Sequence, residues 1–300
     1  MKTIHVHCPL CDFESSTVKI SGVDRLIGGT HAFTLRFCDN CSMLYLDPRP
    51  DVESIPLLYP DSYRPYGYLR SRFRQIFRHI RLRIRAALIV TRLKPGGTIL
   101  EIGCGDGELL AEMQRRSFKV KGIELNQAAA ARAVQKYGFD IEVGTFTQAK
   151  LVNDSFDAII LYHVLEHLID PLEVLKKLKK TLKCGAVLVI GTPNSDSLEA
   201  RIFGNHWVGY DLPRHLFTFS EKKLVETLKN MGFKDIVTVH EIDTNSWMLS
   251  INWRLQASSG PGKKWLFRLL SPLFFFLVFP LALFQAVFRI SGKIIVFARK

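Results

Sequence analysis

Two carboxylates bracket a glycine-rich turn in this sequence. Glu101 lies two residues before Gly103, and Gly105 and Gly107 follow at alternate positions. Glu124 ends the next strand-like run, Lys119 to Glu124. Closely spaced glycines let a backbone approach a ligand and present its N–H groups to it. A dinucleotide loop reads G-x-G-x-x-G, whereas here the third glycine comes one residue early and Glu108 stands where that pattern wants glycine or alanine. A pyrophosphate fits such a loop poorly. A carboxylate at the spacing of Glu124 suits ribose hydroxyls. The pair of acids therefore suits a ligand with a ribose and an ammonium group but no phosphate.

The elements that position these residues follow from pattern. Thr98 to Ile102 is a β-branched and apolar run behind Lys94-Pro-Gly-Gly97, which reads as a buried strand. From Glu108 the apolar residues Leu109, Leu110 and Met113 take helical spacing. Asn126 to Tyr137 reads as a helix, Asp140 to Val143 and Phe156 to Leu161 as strands, Pro171 to Leu182 as a helix, and Ala186 to Ile190 as a strand. A helix capped by Ser220 and ended by Gly232, then a strand from Phe233 to Val239, continue the alternation. This is an α/β pattern with a mostly parallel sheet.

At this point the chain resembles the class I S-adenosylmethionine-dependent methyltransferases. The resemblance rests on Glu101-Ile-Gly-Cys-Gly-Asp-Gly107, Gly122-Ile-Glu-Leu125, Ser155-Phe-Asp157, His163-Val-Leu-Glu-His-Leu168 and Gly191-Thr-Pro-Asn194, in family order over residues 95–240. It implies a Rossmann-like seven-stranded, mostly parallel sheet with helices on both faces and a last strand inserted antiparallel beside the fifth. It implies S-adenosylmethionine as cofactor, held by Glu101, Gly103, Cys104, Gly105, Gly107, Glu124, Leu125, Tyr162 and His163. Family members often place an acid after the third strand for the adenine. Gly144-Thr-Phe-Thr147 has none, so that contact falls to backbone or to Phe146.

Four cysteines form a second constellation. Cys8-Pro-Leu-Cys11 and Cys38-Asp-Asn-Cys41 are two C-x-x-C pairs, each able to offer two thiolates from one turn, and together a tetrahedral site. The amino terminus has no apolar run of the secretory kind, which favours zinc over disulfides. Residues 1–50 thus read as a small zinc ribbon with a structural ion, and 51–95 as a connector with a basic helix. Residues 96–300 form the catalytic domain.

The histidines carry the remaining chemistry. His163-Val-Leu-Glu-His167 resembles the E-x-x-E-H segment of quinone-pathway O-methyltransferases, which implies a divalent ion at His163, Glu166 and His167. The residues alone also allow a capped strand–helix junction. Residues 195–220 mix histidines, aromatics and an arginine and read as a substrate loop. His167 and His215 are the general-base candidates, because imidazole titrates near neutrality.

Composition and apolar patterning suggest the partner. The formal net charge is +13 in 300 residues with 47% hydrophobic content, which points to an anionic partner. Leu69 to Leu93 contains eight arginines, no acid and an apolar stripe, and reads as a surface that meets phosphate. Residues 264–290 form an apolar insertion in which Pro272 and Pro280 predict a shallow membrane hairpin anchored by Trp265, Arg268 and Arg289. The expectation is a cytoplasmic enzyme, peripheral on the inner face of the cell membrane, acting on an amphiphilic or saccharide acceptor. A quinone-pathway O-methyltransferase, an RNA methyltransferase and an inactive membrane-bound binding module are the alternatives. Nucleic acid is disfavoured by the uncharged apolar stretch.

Overall fold

The computed structural model describes residues 1–59, 72–259 and 264–300, with the side chains of 72–75, 77 and 258–275 outside that description. The part of the expected connector and basic helix at residues 60–71, and the expected anchoring side chains of Trp265 and Arg268, therefore lie outside the described residues.

The N-terminal module has strands β1 (Ser16–Val23), β2 (Ala32–Cys38) and β3 (Leu44–Leu46). Helix α1 (Arg72–Val90) follows, then strand β4 (Thr98–Ile102), α2 (Glu108–Gln114), β5 (Lys119–Glu124), α3 (Gln127–Tyr137), β6 (Asp140–Val143), β7 (Phe156–Tyr162) and α4 (Pro171–Thr181). The chain continues with β8 (Leu182–Pro193), α5 (Leu198–Phe203), β9 (Phe217–Thr218), α6 (Glu221–Asn230), β10 (Lys234–His240), α7 (Thr244–Ser259), α8 (Lys264–Val287) and β11 (Lys293–Arg299). The seven-stranded sheet runs β10-β11-β8-β7-β4-β5-β6. Only β11 opposes its neighbours, pairing Val187 with Arg299 and Pro193 with Lys293. The expected antiparallel insertion beside the fifth strand is present.

Alternation along the strands puts one helical layer on each face. Ile99, Ala158, Ile160, Val187 and Val189 pack with Ala86 and Ile89 of α1 and with Leu109 and Met113 of α2. Leu100, Ile102, Ile159, Leu161, Leu188 and Ile190 face the other way, among Val174, Leu175 and Leu178 of α4 and Leu224 and Leu228 of α6.

Three elements go beyond or depart from expectation. First, the N-terminal module is docked on the rest of the chain. Its strands join β9 in a four-stranded sheet ordered β9-β3-β2-β1, and Leu35, Tyr45 and Leu46 share the main core. Second, three of the α1 arginines find acids elsewhere in the chain. Arg78, Arg81 and Arg85 bond Glu108, Asp243 and Glu241 at 2.6, 3.3 and 3.0 Å. The acids absent from the helix itself are supplied by elements remote in sequence. Ile76, Ile80 and Ile84, four residues apart, are instead exposed. Third, Pro272 and Pro280 lie within one continuous helix of 24 residues, so the hairpin is absent. Proline fixes φ near the helical value, so the chain continues as one helix at the cost of a lost hydrogen bond and a ring clash with the carbonyl four residues back. Val278 and Ala282 are buried, whereas Phe276, Leu277, Leu283, Phe284, Val287 and Phe288 are exposed. Among the described residues no helix is long and apolar enough to cross a membrane.

Candidate active site

The glycine loop joins β4 to α2. Gly103 takes φ +68°, and a Cβ there would come within 2.5 Å of Val164 Cγ2. Its N–H donates to the Ile123 carbonyl at 2.8 Å, which pins the turn against β5. At Gly105 (φ +52°) a Cβ would meet nothing within 4 Å, so the backbone faces open space. Gly105 N–H and Asn126 N–H donate to the two carboxylate oxygens of Glu124 at 2.7 and 2.8 Å. Glu124 is thereby fixed beside the open loop, with Leu125 half exposed next to it.

Glu101 is buried, and its Oε2 has no hydrogen-bond partner. Burial, reinforced by the charge of Glu124, pushes its pKa up to about 8. A buried carboxyl oxygen without a partner costs free energy that a cationic ligand group would recover. The open loop, the fixed Glu124 and the orphaned Glu101 oxygen fit S-adenosylmethionine, with its ribose at Glu124 and its ammonium at Glu101.

The remaining residues expected at the cofactor behave differently. Cys104 turns its thiol into a cluster with Leu110, Ala111 and Phe139, and it offers the loop only backbone. Tyr162 lays its ring against Gly191, where a Cβ would come within 2.2 Å of it, and its hydroxyl donates to Glu241. The Arg85 guanidinium lies 3.6 Å from the centre of that ring. His163, at φ +55°, places its Nδ1 3.0 Å from Glu166. Tyr162 and His163 thus engage Glu241 and Glu166. Phe146 is buried in the main core, so adenine would not stack on it.

Glu166, His167 and His215 form the second half of the site. Glu166 is fully buried and also accepts from Thr192 Oγ1 at 3.2 Å. His167 and His215 meet edge to face, ring centres 4.7 Å apart. His167 Nδ1 lies 3.0 Å from the Arg214 carbonyl, and His215 Nδ1 lies 2.8 Å from the Gly209 carbonyl. A carbonyl can only accept, so each Nδ1 carries the proton, with the Tyr59 hydroxyl accepting beside the carbonyl at His167, and each Nε2 keeps a lone pair. Burial lowers both pKa values to about 4, leaving the rings neutral. Glu166, His167 and His215 each offer one donor atom, all within 4.8 Å of one another. Of the expected set His163, Glu166 and His167, the last two lie in this group with His215 from the substrate loop, while His163 keeps its Nδ1 on Glu166 and a buried Nε2 without a hydrogen-bond partner.

Sequence reasoning missed Tyr59, whose hydroxyl lies 3.0 Å from His167 Nδ1, and it missed the Arg85–Glu241–Tyr162 group. Neither carries a periodic or motif signal, because each contact closes over more than seventy residues.

At the cysteine cluster the two turns face each other. Cys8 Sγ lies 3.4 Å from Cys41 Sγ, and Cys11 Sγ lies 3.6 Å from Cys38 Sγ. The four sulfurs lie within 4.8 Å of one another, and no disulfide forms. Burial tends to raise the Cys11 thiol, but the Phe13 N–H and neighbouring side chains outweigh it and bring it down to about 7. Four converging thiols from two turns fit a tetrahedral zinc ion.

The fold and glycine loop define the class I S-adenosylmethionine-dependent methyltransferase architecture. The sequence model described as a methyltransferase domain matches residues 68–238, and the chain belongs to that family. A probable S-adenosylmethionine-dependent methyltransferase of Mycolicibacterium smegmatis is 30% identical over 146 residues, 46% of this chain and 52% of that protein. A ubiquinone biosynthesis O-methyltransferase of Caulobacter vibrioides is 36% identical over 105 residues, 33% of this chain and 42% of that protein. The chain spans about half the length of these curated relatives. A solved S-adenosylmethionine-dependent methyltransferase from Archaeoglobus fulgidus has the same fold, with TM-score 0.51 and 22% identity over 79% of this chain and 100% of that one.

Proposed function

We propose that this chain transfers a methyl group from S-adenosylmethionine to an amphiphilic acceptor, a saccharide or lipid-linked glycan precursor, at the inner face of the cell membrane. The carrying observation is an open glycine loop with the fixed carboxylate of Glu124, and beside it in support stands the pair of neutral imidazoles of His167 and His215. The bound cofactor supplies an electrophilic methyl carbon on a sulfonium. Glu124 holds the ribose, Glu101 pairs with the ammonium, and the loop backbone admits both. His167 or His215 takes the acceptor's proton at Nε2 as the acceptor atom attacks, and Glu166 stabilises the imidazolium that results. Zinc at Cys8, Cys11, Cys38 and Cys41 is structural, since four thiolates leave no open position.

Support for the membrane comes from the exposed apolar residues of α1 and α8 in a chain of net charge +13. Contiguous exposed apolar surface marks interaction sites, and positive charge draws it to anionic lipid. A second reading, O-methylation of a quinone precursor, is favoured by the donor set of Glu166, His167 and His215, where a divalent ion would hold an acceptor oxygen. The test is incubation with methyl-labelled cofactor and, separately, membrane lipid extract, a soluble saccharide fraction and total RNA. Label in a glycan or glycolipid supports the first reading and label in quinone the second. Label in RNA alone, or none anywhere, overturns both.

A further inference from the structure

We propose that Asp24, in the N-terminal module, is a positioning residue for His167 and His215 and acts through Arg214. The proposal rests on the reading of those histidines as the base. Arg214 is a buried cation, with no exposure of its side chain. Its guanidinium donates from Nη1 and Nη2 to Asp24 at 2.8 and 2.7 Å, and from Nε and Nη2 to Asp211 at 3.0 and 2.8 Å. Both contacts are two-pronged, the geometry that fixes a guanidinium most tightly. One carboxylate comes from the N-terminal module and the other from the substrate loop.

What Arg214 holds is its own backbone. Its carbonyl accepts the Nδ1 proton of His167, and the next residue is His215. The following residues are gripped from both sides. Leu216 N–H donates to the Glu166 carbonyl at 2.9 Å, Leu46 N–H donates to the Leu216 carbonyl at 2.8 Å, and Tyr45 pairs with Phe217. Asp24 is itself set by the N–H groups of Leu26 and Ile27, each 2.9 Å from its Oδ1. A rigid path therefore runs from a module outside the methyltransferase sheet to the tautomer of His167 and the placement of both rings. Neutralising Asp24 removes the charge from one of the two carboxylates that face the buried guanidinium. The loop then shifts to solvate it, and the Nε2 atoms lose their aim.

Two variants of the full chain, Asp24→Asn and Asp24→Glu, test this. Cofactor affinity is measured by calorimetry, turnover with labelled cofactor, and loop order by diethyl pyrocarbonate modification of His167 and His215, read by mass spectrometry. In Asp24→Asn, affinity should stay within about twofold, because the Glu101–Glu124 half is untouched. Turnover should drop about a hundredfold, the scale of an ångström's misplacement. His215, 4% exposed in the native chain, should become reactive. Asp24→Glu should restore both turnover and shielding. Native turnover with a shielded His215 in Asp24→Asn overturns the proposal. So does joint loss of affinity, turnover and melting temperature in both variants, which marks Asp24 as fold support alone. If the native chain transfers no label, the functional reading fails, while the modification pattern still decides for or against Asp24.

Discussion

Glu101 makes cofactor binding a function of pH. With its pKa raised to about 8 in the free protein, most of it is protonated at neutrality. About 1% is carboxylate at pH 6, about 9% at pH 7 and half at pH 8, by the ordinary titration curve. Pairing with the cofactor's ammonium requires the carboxylate. The cofactor's amine itself titrates near 7.8, as α-amino groups do, so the competent pair rises about twentyfold from pH 6 to pH 8 and then declines. The sign follows from burial: it disfavours the charged form in the free state, and the incoming cation reverses that. Calorimetry in two buffers of different ionisation heat should show affinity peaking near pH 8, with proton release at pH 7. Glu101→Gln should bind more weakly at pH 8 and lose the rising limb. A native affinity flat from pH 6 to pH 8, or a rising limb that survives in Glu101→Gln, would refute the assignment.

Other outcomes follow from the same geometry. Replacing both His167 and His215 by alanine should cut turnover by a factor on the order of 10²–10⁴, the scale of general-base catalysis, and leave cofactor affinity near native. Unchanged turnover in the double variant would remove them from the chemistry. Metal analysis should find about one zinc per chain, lost when Cys8 and Cys38 become serine. Mass spectrometry showing Cys8 joined to Cys41 without metal would contradict that. On anionic vesicles the chain should bind in two components, one screened by salt over about 8 Å and one resistant to it. Deleting residues 269–288 should abolish only the resistant component, and equal salt sensitivity before and after deletion would count against α8.

Much of this architecture is legible because it is local. Thr98 to Ile102 announces a buried strand by its residue types, and Asp140–Val143 falls where its run was expected. The cysteine turns are legible because spacing alone fixes two ligands per turn. The parts that escape are those assembled across the chain. Nothing near Arg81 or Arg85 reveals that Asp243 and Glu241 will neutralise them, so the helix looked unpaired. Nothing near Cys41 shows that the strand after it will pair with Phe217–Thr218 and bind the N-terminal module to the substrate loop. The arrival of His215 beside Glu166 and His167 has the same cause. A motif on one segment cannot show which loop from elsewhere will complete it.

Whether the glycine loop and Glu124 hold S-adenosylmethionine is read from the cofactor's affinity for the native chain and for Glu124→Ala. Losing the ribose contacts to a charged group should cost roughly 1.5–3 kcal/mol, or about ten- to a hundredfold in Kd. Circular dichroism and the zinc content should be unchanged. An undiminished affinity in Glu124→Ala, or no binding to the native chain at all, would contradict that assignment.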